Sequence, residues 1–219
     1  MTGEDCGNLN MSQRLDPSTH VIDPGGNYIE ICRSATRRIL AISGSLRVAS
    51  SNTILLNAAA ALAPENLEII LYGGLANLPQ FNPDLDNDAP DAVKDLRSQL
   101  DKSAGVIISS PEYAHGVPGA LKNALDWLVA SGELYDKPLA LFSASPRATF
   151  AQASLTVTLS VMSVRLIEEA SIIVPLLGKK VDVQGLIADP DMSHAIHSAL
   201  VTLAHVICLF GPNRHAICR

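Results

Sequence analysis

The chain has 219 residues, with 22 Asp and Glu against 16 Lys and Arg, and its formal net charge is −6. At 47% apolar and only 17% charged residues it is long enough for one globular domain and excluded from disorder over its whole length. The acidic balance gives no electrostatic ground for a nucleic acid or an anionic membrane as partner, so function must come from a local site.

The core must be built mainly from Ala, Leu, Val and Ile, because the chain holds only four Phe, four Tyr and one Trp. Cys6, Cys32, Cys208 and Cys218 lie near the two ends, without CxxC or zinc-ligand spacing. This usage predicts reduced thiols in a cytoplasmic protein. No basic start followed by an apolar stretch marks a secretion signal in the first 30 residues. The late apolar segment 199–210 is shorter than the ~20 residues that span a bilayer.

Residues 1–36 carry Gly3, Gly7, Pro17, Pro24, Gly25 and Gly26 and no helical or alternating period. They are expected to form an arm, flexible or packed on a partner subunit, with a short strand near 28–32 as one option. The domain proper is expected over 37–219. Strands are predicted at 38–43, 67–72, 105–110, 138–144 and 171–174, alternating with helices at 52–63, 89–102, 116–130, 150–162 and 193–210. Ile39-Leu40-Ala41-Ile42 and Val106-Ile107-Ile108 are continuous apolar runs, the pattern of strands covered on both faces. Five such alternations predict a doubly wound α/β fold with a five-stranded parallel sheet and helices on both faces. Its ligand site belongs beyond the carboxyl ends of the strands.

After the first strand, residues 43–53 concentrate Ser43, Gly44, Ser45, Arg47, Ser50, Ser51, Asn52 and Thr53 at a helix start. Free backbone N–H groups there, with the charge of Arg47, suit a phosphate. The other reading is an ordinary helix cap made by Ser50, Ser51 or Asn52, with Arg47 in solvent. After the third strand comes a turn rich in Pro and Gly, containing Pro111, Glu112, Tyr113, Ala114, His115 and Gly116. Such a turn has little freedom and can bring backbone against a planar ligand, on which Tyr113 can stack and which His115 can touch.

The first string, G-S-L-R followed by Ser50 and Asn52, and the second, P-E-Y-x-x-G-x-P-G-x-L-K-N-A-x-D-W over 111–127, resemble the NAD(P)H-dependent FMN reductase family, which includes quinone, azo and chromate reductases. The resemblance implies a flavodoxin-like fold and FMN held noncovalently. Ser45, Arg47, Ser50, Asn52 and Thr53 would serve its phosphate. Backbone from Pro111 through Glu112, Tyr113, Ala114 and His115 to Gly116 would meet the edge of its ring system. It further implies NADPH or NADH as electron donor and a ping-pong cycle. A small-molecule acceptor such as a flavin, quinone, azo compound or chromate-like oxyanion would follow, in a homodimer or homotetramer. Lys122, Asn123, Asp126 and Trp127, though in the motif, read as packing and loop-bracing groups of the helix.

After the fourth strand the likeness weakens. Ser145 and Pro146 fit the family's loop, but Arg147, Ala148, Thr149 and Phe150 stand where glycines are common. Those side chains can narrow the pocket; Arg147 can meet the flavin, meet a phosphate of the nicotinamide donor, or lie in solvent. The altered loop keeps a second reading open, a flavin carrier or sensor without catalysis. No catalytic side chain is expected, since the flavin carries the hydride chemistry. His194 and His197 lack further metal ligands, Asp84, Asp86, Asp88 and Asp91 lack calcium-loop spacing, and no G-x-S-x-G elbow appears.

Overall fold

The computed structural model describes residues 20–22, 28–30, 36–176, 178 and 181–210. The chain divides into two units, Met1–Ser34 and Ala35–Arg219. In the first, β1 (His20–Ile22) pairs antiparallel with β2 (Tyr28–Glu30), Val21 opposite Ile29. The optional strand at 28–32 is thus present over its first three residues, and its partner β1 was not expected. The rest of the arm predicted for 1–36 lies almost wholly outside the described residues.

The second unit runs β3 (Arg37–Ser43), α1 (Ser51–Ala61), β4 (Leu67–Leu71), α2 (Asp91–Asp101), β5 (Gly105–Ser109), α3 (Gly119–Asp126), β6 (Pro138–Ser143), α4 (Thr149–Val161), β7 (Arg165–Leu166), β8 (Ile172–Ile173), α5 (Val183–Ala188) and α6 (Pro190–Phe210). The sheet order is β4-β3-β5-β6, with β7 and β8 both on the far side of β6, and every pairing in it is parallel. Counted along the domain this is the 2-1-3-4-5 order of a flavodoxin-like sheet. The order reverses between β3 and β5, which puts the crevice at their carboxyl ends.

The central strands are buried on both faces, and successive side chains alternate between two cores. Ile39 and Ala41 of β3, Ile107 of β5 and Ala140 and Phe142 of β6 face one core, closed by Leu55, Leu56 and Ala59 of α1 and Ile196, Leu200 and Leu203 of α6. Leu40, Ile42, Val106, Ile108, Leu139 and Leu141 face the other, closed by Val93, Leu96 and Leu100 of α2, Leu121 and Leu125 of α3, and Leu155 and Leu159 of α4. Each fully buried Leu or Ile contributes about 1.5–3 kcal/mol, so the uninterrupted apolar strands and the one-sided helices fix each other's position.

Four features depart from expectation. The fifth strand position is filled by two short strands around a 3₁₀ turn at Glu168–Ala170, and β7 lies ahead of the predicted 171–174. The break is tolerated because the Ser171 hydroxyl replaces a ladder partner: it accepts from Leu141 N at 3.0 Å and donates to Ile167 O at 2.8 Å. Helix α3 starts at Gly119 instead of 116, since Pro118 is extended (ψ 138°) ahead of it. Helix α5 was not expected, and α6 begins at Pro190, a residue suited to a first helical position. At 21 residues and a mean hydropathy of 1.5, α6 is long and apolar enough to cross a membrane, contrary to the estimate from 199–210. It nevertheless seats Ile196, Leu200, Leu203 and Ile207 in the core beside the sheet.

Cys208, on α6, is disulfide-bonded, against the expectation of reduced thiols, and the other cysteine lies outside the described residues. Clustering of the cysteines at the two ends, read as a sign of reduced thiols, does not prevent a bond between them.

Candidate active site

The loop from β3 to α1 is held by short polar contacts. Gly44 N donates to Ser109 O at 2.8 Å, and a Cβ at Gly44 would lie 3.0 Å from both Leu121 Cδ2 and Ser110 Oγ, so a side chain there would press on the loop after β5 and on α3. Ser43 Oγ is 2.9 Å from Thr53 Oγ1 and accepts from Ser45 N at 3.3 Å. Ser45 Oγ accepts from Arg47 N at 3.3 Å. Asn52, 6% exposed, accepts from Ser109 Oγ at 2.9 Å and so pins the first turn of α1 to the end of β5.

The cap and cradle readings of this loop predict different bonds. A cap requires the side chain at the head of the helix to accept from the first-turn N–H groups. Ser50 holds the cap position in extended conformation (φ −97°, ψ 127°) and makes no such bond. The first helical bond runs from Ile54 N to Ser50 O at 2.9 Å. The N–H groups of the turn before it are therefore left to an external acceptor, at the end of the helix that favours negative charge.

The loop after β5 is a rigid tab. Tyr113 N donates to Gly116 O at 3.1 Å and Gly116 N to Tyr113 O at 3.0 Å, closing a two-residue turn. Both of its central residues, Ala114 (φ 50°) and His115 (φ 59°), are left-handed. Neither is glycine, so each costs about 1–2 kcal/mol of backbone strain. The tab is tied down by Glu112, whose Oε2 accepts from Ala151 N at 2.9 Å and whose Oε1 meets His115 Nδ1 at 3.1 Å. The Ala151 N–H, more than the neighbouring His115, holds the Glu112 carboxyl below its ordinary range. His115 in turn lies edge-on to Phe150, ring centroids 4.5 Å apart.

The loop after β6 carries the family's missing glycines, and their replacements divide. Ala148 is buried and lines the cleft. Phe150 is 57% exposed and packs on His115 at the back of the tab instead of entering the cleft. Ser143 Oγ donates to Ser145 O at 2.9 Å, and Ser145 Oγ accepts from Arg147 N at 3.1 Å.

These three loops enclose a cleft of ≈ 330 Å³, within the range of small-ligand sites. Of the residues predicted from sequence, Ser45, Arg47, Ser50, Asn52, Pro111, Glu112, Tyr113, Ser145 and Arg147 line it. Thr53 braces Ser43 from behind, and Ala114, His115 and Gly116 form the tab without being part of the lining. Ala148, one of the side chains expected to narrow the pocket, lines it, and Ser51, Ser110 and Ala144 also line it without having been singled out as ligand contacts. Ser51 had a signal, standing in the same serine string; Ser110 and Ala144 are marked only by following buried strands. Among the described residues neither Arg47 nor Arg147 pairs with a carboxylate. An uncapped helix start, a guanidinium without a carboxylate partner among the described residues, and the hydroxyls of Ser45, Ser50 and Ser51 around one cleft fit the phosphate of a flavin mononucleotide.

The motif's helical residues serve the scaffold. Asn123 Nδ2 and Trp127 Nε1 each donate to Pro79 O at 2.9 Å, and Asn123 Oδ1 accepts from Phe81 N at 2.8 Å. Lys122 and Asp126 pair with each other at 2.5 Å. Among the described residues no group of three or more His, Cys, Asp or Glu is placed to hold a metal ion.

The family described as NADPH-dependent FMN reductase matches residues 37–176. The NAD(P)H-dependent FMN reductase of Pseudomonas aeruginosa is 30% identical over 172 residues, covering 76% of this chain and 92% of that one. A quinone reductase of Escherichia coli is 35% identical over 105 residues, 47% of this chain, and the match spans 54%, about half, of that relative's length. Among solved structures, a flavoenzyme NAD(P)H:(acceptor) oxidoreductase from Paracoccus denitrificans superposes with a TM-score of 0.72 at 27% identity, covering 80% of this chain and all of that one.

Proposed function

The chain belongs to the NADPH-dependent FMN reductase family, and on that footing we propose that it carries hydride from NAD(P)H to a small-molecule acceptor through FMN bound in the cleft between the loops after β3, β5 and β6. FMN is the family's cofactor and NAD(P)H its electron donor. Bound there, FMN supplies hydride acceptance from a nicotinamide and electron delivery to the acceptor. The chain's own residues bind, orient and enclose. The N–H groups at the head of α1, with Arg47, Ser45 and Ser50, hold the phosphate. The tab at 111–116 offers its backbone to the ring edge, and its strained turn keeps that wall from yielding. Tyr113, 51% exposed at the mouth, offers an aromatic face to the ring or to the incoming donor.

The uncapped Ser50 start of α1 beside Arg47, which pairs with no carboxylate among the described residues, carries this reading. Donor and acceptor use the cleft in turn, a ping-pong order that asks for no covalent nucleophile. Quinones, flavins, azo compounds and chromate-like oxyanions are the acceptor classes proposed. The protein works as a homodimer or homotetramer, without nucleic acid or membrane, with its reductase domain at 37–219.

The test is the visible spectrum of the purified protein before and after NADPH is added without oxygen. A yellow protein that bleaches supports the reductase. A protein that retains FMN and stays oxidised is a carrier or sensor, and one that binds no FMN contradicts the reading outright.

A further inference from the structure

The loops after β3 and β6 are built on one plan. Ser43-Gly44-Ser45-Leu46-Arg47 and Ser143-Ala144-Ser145-Pro146-Arg147 share a Ser-x-Ser-x-Arg pattern at the same end of the sheet. The internal bonds repeat as well. In each, the first serine hydroxyl accepts from the second serine's N–H (3.3 and 3.4 Å) and donates to its carbonyl (3.4 and 2.9 Å). In each, the second serine hydroxyl accepts from the arginine N–H (3.3 and 3.1 Å). Only β5 separates β3 from β6, so the two loops stand two strand spacings apart, about 10 Å. Both arginines line the same cleft.

The helices behind the two loops differ. The head of α1 is open, whereas α4 has its Ala151 N–H taken by the Glu112 carboxylate. A second anion cannot share that helix end with Glu112. It must be met by the Arg147 guanidinium, which is exposed at the rim and, among the described residues, pairs with no carboxylate. A guanidinium fork matches the paired oxygens of a phosphate, sulfonate or oxyanion. Arg47 and Arg147 are both exposed, and the difference lies behind them: Arg47 stands before an open helix head that can hold a resident group, whereas Arg147 has no free helix head to share an anion with and suits a group that arrives and leaves.

We propose that the Ser143–Arg147 loop is a second anion-binding arm of the cleft, in which Arg147 takes a phosphate or oxyanion group carried by the exchanging donor or acceptor. This rests on the reading of the cleft as the FMN site. It assigns the anionic group of the exchanging ligand to a particular loop and side chain, which neither the family's description nor the relatives' names supply.

The experiment is equilibrium binding to the FMN-loaded protein, followed by flavin fluorescence, for wild type, Arg147→Ala and Arg147→Lys. The probes are NADP⁺ and NAD⁺, and a sulfonated naphthoquinone beside its uncharged parent. Arg147→Ala is expected to weaken at least one anionic probe tenfold or more, with the uncharged quinone changed less than twofold and Arg147→Lys recovering part of the loss. Loss confined to NADP⁺ places the 2′-phosphate on Arg147, loss of both dinucleotides the diphosphate, and loss of the sulfonated quinone alone an anionic acceptor. Unchanged binding of all anionic probes overturns the proposal. So does a tenfold loss of FMN affinity in Arg147→Ala, which would assign Arg147 to the resident flavin. Binding is read without turnover, so failure of NADPH to bleach the wild type contradicts the reductase reading separately.

Discussion

The heads of α1 and α4 stand at the same edge of the sheet, behind loops of the same Ser-x-Ser-x-Arg pattern, and end up with opposite fates. At α4 a carboxylate from a neighbouring loop, Glu112, takes the Ala151 N–H and stitches two walls of the cleft together. At α1 the residue best able to cap, Ser50, makes no side-chain cap bond. A helix head that the protein satisfies for itself is scaffold, and one that it leaves unsatisfied in a cleft is a binding site. The pair also shows why a serine-rich helix start is ambiguous on its own: both loops have the composition of caps, and only the bonds made separate them.

The contrast can be broken first at the open head. Arg47→Ala removes a charged hydrogen-bond donor worth about 1.5–3 kcal/mol, so FMN affinity should fall roughly tenfold to a hundredfold in a fluorescence titration. Unchanged affinity would move the phosphate away from α1. Next in size is the brace beneath it. Asn52→Ala leaves the buried Ser109 hydroxyl without its partner, and unfolding in denaturant should show a loss of about 1–3 kcal/mol. A cost near zero would mean that α1 is held without this tie.

On the tab, Ala114→Gly relieves a left-handed alanine. After the extra chain entropy of glycine is counted, the protein should gain about 0.5–1 kcal/mol. Lower stability would show that the turn is not strained. The smallest effect concerns the satisfied head. The carboxyl of Glu112 lies below its ordinary range in the folded protein, mainly through the Ala151 N–H. Its contribution is therefore complete above the unfolded value of 4.5 and is lost as pH falls through the lowered folded value. The stability gap between wild type and Glu112→Gln should be present at pH 7 and shrink at acid pH. A gap independent of pH would remove the ionised carboxylate from the account.

What was legible in the sequence follows from the range of the forces involved. Ile39 to Ile42 and Val106 to Ile108 show their role in consecutive residues, because a strand buried on both faces needs every position apolar. The split between β7 and β8 was hidden because its stability depends on the Ser171 hydroxyl reaching Leu141, 30 residues away. The site divides in the same way. Ser45, Arg47 and Ser50 declare themselves by composition, but whether they cap or wait for a ligand depends on bonds that composition does not encode. The Glu112 tie to Ala151 spans 39 residues and the Asn52 tie to Ser109 spans 57. Asn52 carries the motif's last letter and Thr53 follows it, and the structure spends their side chains on Ser109 and Ser43. Phe150, which stands where the family places glycine, keeps the cleft clear by packing on His115, a contact between two loops that no local pattern signals.

The most direct test of the open head is the affinity of the wild-type apoprotein for FMN and for riboflavin, which differ by the phosphate alone. If the N–H groups of α1 and Arg47 hold that phosphate, FMN binds at least a hundredfold more tightly than riboflavin. Equal affinity for the two would contradict the account.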